Sequence, residues 1–330
     1  MFWEARIWRR GNLTLDNLRR VASRLRLPID IVQREIIFYD SLNAIVECAP
    51  TKVVLKGGSL ISRVYSRIPR FSWDIDLATP APRKKSFNLE TLSSRLRRKK
   101  RFSRTRLNGS ELILGLYERD KEKDVFVDLY SLRRPMTTYS VGAPLPAFLR
   151  SRNLRAPDLD GALLRLRGRL DGLPAVDYVR ATVSLGEEMR GGTREIRVPT
   201  ILSRLLRPVR TVTCKGECEE FCLIDKLARM SQPLTRFNLR DQMCDLYDAG
   251  QLLRLELDAE RLSRRYDNLF RKHAAPPVSV MQESIVAKRP ILRRVDFSSR
   301  REFLMLPSSF DWKNYVDKTM AEASAVLQQI

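Results

Sequence analysis

The sequence predicts a protein of the α/β (α+β) class, with a mixed sheet and flanking helices followed by a mainly helical C-terminal domain. Two observations carry this prediction: strand-like and helix-like patterns alternate in the first 140 residues, and helical spacing of apolar residues dominates beyond about residue 150. A length of 330 residues suggests two domains. We place them at 1–140 and 141–330, because Pro135, Gly142, Pro144 and Pro146 mark a boundary.

The individual elements follow from apolar periodicity and from turn residues. The predicted helices cover residues 13–27, 31–47, 59–67, 159–171, 217–231, 236–254 and 257–271. The predicted strands cover residues 52–55, 73–78, 111–117 and 124–130. The first helix should end at Pro28, and Gly57-Gly58 should form a turn between the first strand and the helix that follows it.

The charge of the chain favours a polyanionic partner. There are 61 Lys and Arg against 39 Asp and Glu, which gives a net charge of +22. Residues 83–106 hold 11 of the basic residues and a single acidic one, and Phe87 and Phe102 are interleaved with them. This window is either a solvated face or a surface that binds a nucleic-acid backbone electrostatically, and we favour the binding surface. The candidate RNA contacts are Arg97, Arg98, Lys99, Lys100 and Arg101.

Composition also excludes several kinds of site. His273 is the only histidine, so a serine hydrolase triad or a histidine-bound zinc has almost no candidate residues. The odd number of cysteines does not fit a disulfide framework. The four-residue spacing of Cys214, Cys218 and Cys222 would place them on one face of a helix; without a fourth ligand we interpret them as buried small side chains. With no long apolar run, we expect a cytoplasmic protein without a membrane partner.

Residues 53–79 carry the strongest chemical signal. In a strand, Asp74 and Asp76 would lie on one face, and their repulsion would be relieved by a bridging Mg²⁺. Gly57 and Gly58 would let the backbone approach phosphate, and Ser59 would add a hydroxyl at a helix start. Asp128, on a later predicted strand, is the candidate third carboxylate of the metal site.

At these residues the sequence resembles the AbiEii-type nucleotidyltransferase toxins, which include the MenT toxins and belong to the DNA polymerase beta-like superfamily. The family motif of Lys-Gly-Gly-Ser, a short helix and Arg-Phe-Ser-x-Asp-Ile-Asp-Leu stands here at residues 56–59 and 70–77. The resemblance implies a polymerase beta-like mixed sheet. It also implies that Gly57, Gly58, Ser59 and Ser72 bind nucleotide.

A second motif pair resembles the same family. The helix around Lys226 is similar to the helix that carries the family's catalytic lysine. The segment from Arg240 to Asp248 is similar to the family's following motif, in which Asp241, Asp245 and Asp248 are the possible functional aspartates and Asp245 is our choice. By this resemblance Lys226 contacts the triphosphate, and Asp245 orients Lys226 or a base.

These inferences lead to one expected function and two alternatives. We expect a Mg²⁺-dependent transfer of a nucleoside monophosphate from an NTP to an RNA acceptor, with the 3′ end of tRNA favoured. The resemblance further implies a toxin with a cognate antitoxin protein. The first alternative is a non-catalytic nucleic-acid-binding protein on a degenerate transferase fold. The second is a transferase that modifies a protein hydroxyl or a small molecule.

Overall fold

The structure is a computed structural model. It describes residues 15–48, 53–72, 74–80, 105–108, 111–114, 138–141, 181–187, 189, 191–200, 211–235, 237–272, 274–298 and 300–330. The chain forms two compact units. The first contains Met1–Val54, Trp73–Glu187 and Arg197–Cys214, and the second contains Leu55–Ser72, Glu188–Ile196 and Lys215–Ile330. No helix in the described ranges is long and apolar enough to cross a membrane.

Two helices open the described part of the first unit, as the apolar spacing predicts. They are α1 (Leu15–Leu25) and α2 (Ile29–Cys48). Helix α1 ends where Arg26 adopts a left-handed conformation with φ of 53°. Two backbone bonds close this end: Arg26 N–H donates to Ser23 O at 3.2 Å, and Leu27 N–H donates to Ala22 O at 3.0 Å. This pair of bonds is a Schellman motif, and Pro28 then prevents the helix from continuing.

Five strands of the first unit form a mixed array, which agrees with the predicted sheet. They are β2 (Ile75–Pro80), β3 (Thr105–Asn108), β4 (Glu111–Leu114), β5 (Thr138–Val141) and β6 (Ala181–Glu187), in the lateral order β3-β4-β5-β6-β2. The β3–β4 and β5–β6 pairs are antiparallel, whereas β4–β5 and β2–β6 are parallel. The parallel β2–β6 pairing places Asp76 opposite Thr182.

Three further strands lie side by side in the order β1-β8-β7. They are β1 (Val54–Lys56), β7 (Thr193–Pro199) and β8 (Thr211–Glu217). Beyond residue 150 the sequence analysis predicts a mainly helical region and no individual strand, so β6, β7 and β8 are strands that it missed. In β8 the alternation was nevertheless present, because Val212 and Cys214 are buried between the exposed Thr211, Thr213 and Lys215.

The second unit is mainly helical. Its first turn is α3 (Gly57–Leu60), which continues as a wider π-type turn over Ile61–Tyr65. The remaining helices are α4 (Glu219–Met230), α5 (Leu239–Leu252), α6 (Ala259–Arg271), α7 (Val278–Ala287), α8 (Arg289–Leu292) and α9 (Trp312–Leu327). Helices α4, α5 and α6 confirm the three predicted at 217–231, 236–254 and 257–271. The helix predicted at 159–171 and the strand predicted at 124–130 lie outside the described residues.

Aromatic side chains pack α9 against α5. Tyr315 of α9 stacks on Tyr247 of α5 with ring centroids 5.3 Å apart, and its hydroxyl donates a 2.7 Å hydrogen bond to the Tyr247 carbonyl. Gln251 donates to the same hydroxyl at 3.2 Å. Trp312 and Phe303 extend this aromatic core. Because the bonded groups are buried and paired, these bonds stabilise the contact between α9 and the last turns of α5.

Candidate functional site

The glycine turn after β1 permits a close approach of the backbone to charged side chains. Gly57 has φ of +71°, a conformation that glycine adopts without steric cost. A Cβ atom on Gly58 would lie 2.5 Å from Arg70 Nη2, 3.0 Å from Ser72 Oγ and 3.4 Å from Asp248 Oδ2. The first of these separations is shorter than real Cβ contacts, so a side chain at this position would force the Arg70 guanidinium to move. Gly58 therefore permits the observed packing of that guanidinium against the turn.

Five charged side chains form an ion cluster in the second unit: Arg70, Lys226, Arg229, Asp245 and Asp248. Lys226 Nζ lies 2.7 Å from Asp245 Oδ1 and 2.6 Å from Asp248 Oδ2. Arg70 donates two parallel hydrogen bonds to Asp248, from Nε to Oδ1 at 2.7 Å and from Nη2 to Oδ2 at 2.7 Å. Arg229 Nη2 lies 2.5 Å from the Asp245 oxygen that Lys226 also contacts. Each carboxylate is thus shared by two cations.

Burial makes this ion cluster electrostatically strong. The side chains of Lys226 and Asp248 are 3% and 0% exposed, whereas Arg229 is 52% exposed. Burial raises the pKa of the Asp248 carboxyl, but Arg70 and Lys226 outweigh this effect and hold its pKa below the ordinary value. Burial likewise lowers the pKa of Arg70, and Asp248 more than reverses the change. Lys226 is therefore not the solvated helix lysine that is the ordinary alternative for such a residue.

The geometry distinguishes among the three aspartates of α5. Asp245 and Asp248 are three residues apart, lie on one face and both contact Lys226. Asp241 is exposed in the first turn. Asp245 and Asp248 are therefore the aspartates that meet the lysine, and their part in catalysis stays a prediction.

The segment that precedes the paired aspartates is held at three points within the second unit. Arg70 binds Asp248, Phe71 N–H donates to Glu302 O at 2.7 Å, and the Ser72 carbonyl accepts a 2.9 Å hydrogen bond from Arg63 Nη1. The Arg63 guanidinium also reaches the Ser59 carbonyl at 3.3 Å. Arg63 and Ser59 are both buried. The buried Arg63 thus bonds to the backbone carbonyls of both Ser59 and Ser72, the two serines predicted to bind nucleotide.

In the first unit, Asp74 and Asp76 are accessible at the beginning of β2. The strand begins at Ile75 and not at residue 73, so Asp74 precedes it; the predicted strand started too early. Ile75 and Leu77 are fully buried, whereas Asp74 is exposed and Asp76 is half-buried. This alternation agrees with the prediction that apolar residues anchor the strand while the carboxylates remain on the accessible side.

The donor set of Asp74 and Asp76 fits Mg²⁺. Both are hard oxygen donors, and their accessibility suits an ion that keeps several waters and takes only one or two protein carboxylates. Within the ranges that the structure describes, no group of three or more His, Cys, Asp or Glu is arranged to hold a metal. Asp128, the predicted third carboxylate, lies outside those ranges. The predicted RNA contacts Arg97, Arg98, Lys99, Lys100 and Arg101 lie outside them as well.

The three regularly spaced cysteines do not share a helix face. Cys214 lies on β8, Cys218 occupies the N-cap position of α4 and Cys222 lies inside α4. Their burial confirms the interpretation of all three as buried small side chains. All three are buried free thiols. Burial raises the pKa of Cys214 and of Cys218 to about 12, and it raises that of Cys222 as well. These are the properties of packed, protonated side chains.

Sequence reasoning did not assign a role to Arg70 or Arg63. Arg70 stands inside the quoted motif, so its position was a usable signal. Its partner Asp248 is 178 residues away along the chain, and this separation hides the pair from any local pattern. Arg63 is a basic residue four positions after Ser59 on a strongly apolar helical turn. A cation in such surroundings requires buried acceptors, which the structure supplies as backbone carbonyls.

Comparison with known proteins identifies the chain. Over a span that includes both motif regions, the sequence matches a nucleotidyltransferase family, so the protein is an enzyme that uses an NTP as substrate. The chain belongs to the AbiEii family of nucleotidyl transferase toxins of type IV toxin–antitoxin systems, whose profile matches residues 49–328. The resemblance inferred from the motifs is thereby confirmed. Membership also implies an antitoxin partner, and enzymes of this kind generally use a divalent metal.

One solved structure and the curated proteins complete the comparison. The chain is similar to MenT4, a nucleotidyltransferase toxin from Mycobacterium tuberculosis H37Rv, with 13% sequence identity and a TM-score of 0.43. The similarity covers 95% of this chain and 90% of the MenT4 chain. No curated protein matches the sequence significantly.

Proposed function

We propose that this nucleotidyltransferase toxin transfers a nucleoside monophosphate from an NTP to an RNA acceptor in a Mg²⁺-dependent reaction, and we favour the 3′ end of tRNA. The observation that carries the proposal is the ion cluster beside the Gly57-Gly58 turn. Its three cations outnumber its two carboxylates. A polyphosphate is the complementary ligand for such a site, because it brings several negative charges to a partly buried surplus of positive charge.

Nucleotidyl transfer requires positioning more than covalent chemistry. A hydroxyl oxygen of the acceptor attacks the α-phosphorus and gives up its proton to solvent, the bond from the α-phosphorus to the α–β bridging oxygen breaks, and pyrophosphate leaves with the bonding electrons. In our proposal Lys226 contacts the triphosphate, while the amides of Gly57 and Gly58 and the hydroxyls of Ser59 and Ser72 bind its oxygens. Asp245 holds Lys226 in place through the 2.7 Å contact.

The metal is assigned to the paired aspartates of the first unit. Asp74 and Asp76 would hold Mg²⁺, with Asp128 as the proposed third ligand. When bound, the ion neutralises phosphate charge and lowers the energy of the leaving group. The carboxylates of this chain supply the hard oxygens that it requires.

The distribution of charge along the chain supports an RNA acceptor. Residues 219–330 contain 18 Lys and Arg and 16 Asp and Glu, so residues 1–218 account for nearly all of the net charge of +22. We therefore assign the RNA backbone to the N-terminal part, with Arg97, Arg98, Lys99, Lys100 and Arg101 as its contacts. A cytoplasmic location is proposed with it, because the NTP, the tRNA and the antitoxin would all be encountered there.

A labelling experiment tests the proposed function. The purified protein is incubated with Mg²⁺, total tRNA and each α-labelled NTP in turn, beside the variants Asp74→Ala and Asp267→Ala. Asp267 is an exposed aspartate of α6 and serves as the matched control. We expect label on tRNA with one NTP, lost in Asp74→Ala and retained in Asp267→Ala.

Two other results would contradict the proposal in different ways. Label on added protein instead of RNA would favour the transferase that modifies a protein hydroxyl. Absence of any label, together with tRNA binding that weakens steeply with salt, would favour the non-catalytic binding protein.

A further inference from the structure

We propose that Arg70 is a positioning residue that keeps the positive charge of Lys226 available to the triphosphate by neutralising Asp248. The inference rests on the proposed role of Lys226 in nucleotide binding. Neither the sequence motifs nor the family match gives Arg70 a role, and the inference supplies one. It also separates the two aspartates of α5, because Asp245 positions the lysine whereas Asp248 links the lysine to Arg70.

The hydrogen-bond geometry supports this division. Arg70 occupies both oxygens of Asp248 with bonds of 2.7 Å, and Lys226 approaches only Oδ2, at 2.6 Å. A guanidinium fork of this kind matches a carboxylate better than an ammonium group does. Arg70 therefore neutralises most of the negative charge of Asp248. Asp248 then neutralises the ammonium of Lys226 only in part, and the lysine retains a positive potential toward a ligand.

The charge count of the ion cluster gives the consequence of losing Arg70. With Arg70, three basic side chains face two acidic ones and leave a surplus of one positive charge. Without it, Lys226 and Arg229 would balance Asp245 and Asp248, and the surplus would vanish. Because the lysine and both aspartates are buried, solvent would screen this change only weakly. The affinity for polyphosphate should fall even if the lysine itself is unchanged.

The turn at Gly58 holds Arg70 in this position. The absence of a side chain there allows Nη2 to lie against the backbone, where a Cβ would come within 2.5 Å. Arg70 Nη1 also donates to the Phe71 carbonyl at 3.2 Å. The guanidinium is thus bonded on two sides and blocked on a third, as expected for a group that sets the arrangement of its neighbours.

Binding of inorganic tripolyphosphate tests the inference, since it carries the chemistry common to all NTPs. Titration calorimetry without divalent metal compares wild type with Arg70→Met, Arg70→Lys, Asp248→Asn and the double variant Arg70→Met with Asp248→Asn. We expect Arg70→Met to weaken binding roughly tenfold, Arg70→Lys to retain most of it, and the double variant to regain it. Asp248→Asn raises the surplus charge and should bind more tightly than wild type.

A second buried arginine fork provides the matched control. Arg265 binds Asp225 with Nε and Nη2 at 2.7 Å each, and it is buried like Arg70. Arg265→Met should lose as much thermal stability as Arg70→Met and yet bind tripolyphosphate like wild type. If the role of Arg70 were purely structural, Arg70→Met and Arg265→Met would change the affinity for tripolyphosphate to the same extent. Asp248→Asn would then not bind tripolyphosphate more tightly than wild type.

The outcomes separate the inference from the proposed function. If Lys226→Met abolishes binding while Arg70→Met and Asp248→Asn both bind like wild type, the inference is overturned and the role of Lys226 stands. If Lys226→Met itself binds and catalyses like wild type, the proposed role of Lys226 fails. Should Arg70→Met not fold, tighter binding by Asp248→Asn supports the inference, and unchanged or weaker binding overturns it.

Discussion

Replacing Gly58 by alanine sets two physical effects against each other. Gly58 lies in α3, and exchanging glycine for alanine within a helix ordinarily stabilises a protein by about 1 kcal/mol. At this position, however, the added methyl group would lie 2.5 Å from Arg70 Nη2 and 3.0 Å from Ser72 Oγ. Ordinary contacts of a Cβ atom begin near 3.4 Å, so the guanidinium must move by close to an ångström.

The structure predicts that the steric effect is the larger. Overpacking a well-filled site typically costs about 1–3 kcal/mol. Arg70 cannot retreat without lengthening its bonds to Asp248, and breaking a buried ion pair costs about 3–5 kcal/mol. After subtracting the helix propensity, we expect Gly58→Ala to lower the free energy of unfolding by about 2 kcal/mol. The KM for the NTP should rise as well, because the displaced arginine no longer holds Asp248.

Urea denaturation followed by circular dichroism measures the first effect, and initial-rate kinetics measure the second. Gly250→Ala is the matched control: its Cβ would clash with Thr319 Oγ1 and lie 2.5 Å from the Tyr315 hydroxyl, and none of the three nearest atoms belongs to the ion cluster. Gly250→Ala should lose comparable stability with an unchanged KM. If Gly58→Ala is as stable as wild type or more stable, the close approach of Arg70 to the turn is not a real constraint and the reasoning is refuted.

Two further predictions concern buried polar groups. Lys288 Nζ donates to the backbone carbonyls of Met230 and Gln232, and burial lowers its pKa to about 8. Between about pH 8 and pH 10.5, the folded and ordinary pKa values of this lysine, the unfolded chain binds more protons at Lys288 than the folded chain does. Urea titrations should therefore show wild type gaining stability relative to Lys288→Met as the pH rises through this range; a pH-independent difference would contradict this. Tyr315→Phe removes the hydroxyl that donates to the Tyr247 carbonyl and accepts from the buried Gln251 amide. It should cost about 1–3 kcal/mol of unfolding free energy with an unchanged KM for the NTP, whereas a wild-type urea midpoint would contradict the assigned bonds.

Local elements were predictable where a short-range pattern specifies them. Helices α1, α2, α4, α5 and α6 follow from apolar residues at three- and four-residue spacing, and the structure places them within a few residues of the predicted limits. The strand after the motif was predicted by the alternation of Asp74, Ile75, Asp76 and Leu77, although it begins two residues later than expected. Strand β8 was missed although Val212 and Cys214 alternate with exposed residues, because the sequence beyond residue 150 was interpreted as mainly helical.

The sequence by itself determined the family, the candidate residues and the uneven distribution of charge. A motif and the charge of a segment depend only on the order of residues along the chain, and not on which distant residues come into contact. It did not determine which aspartate of α5 meets Lys226. Spacings of three and four residues both bring side chains to one helix face, so Asp241 and Asp245 were as compatible as Asp245 and Asp248. Only the packing of α4, α5 and the turn at Gly58 decided it, by burying Asp248 between Lys226 and an arginine 178 residues away in the chain.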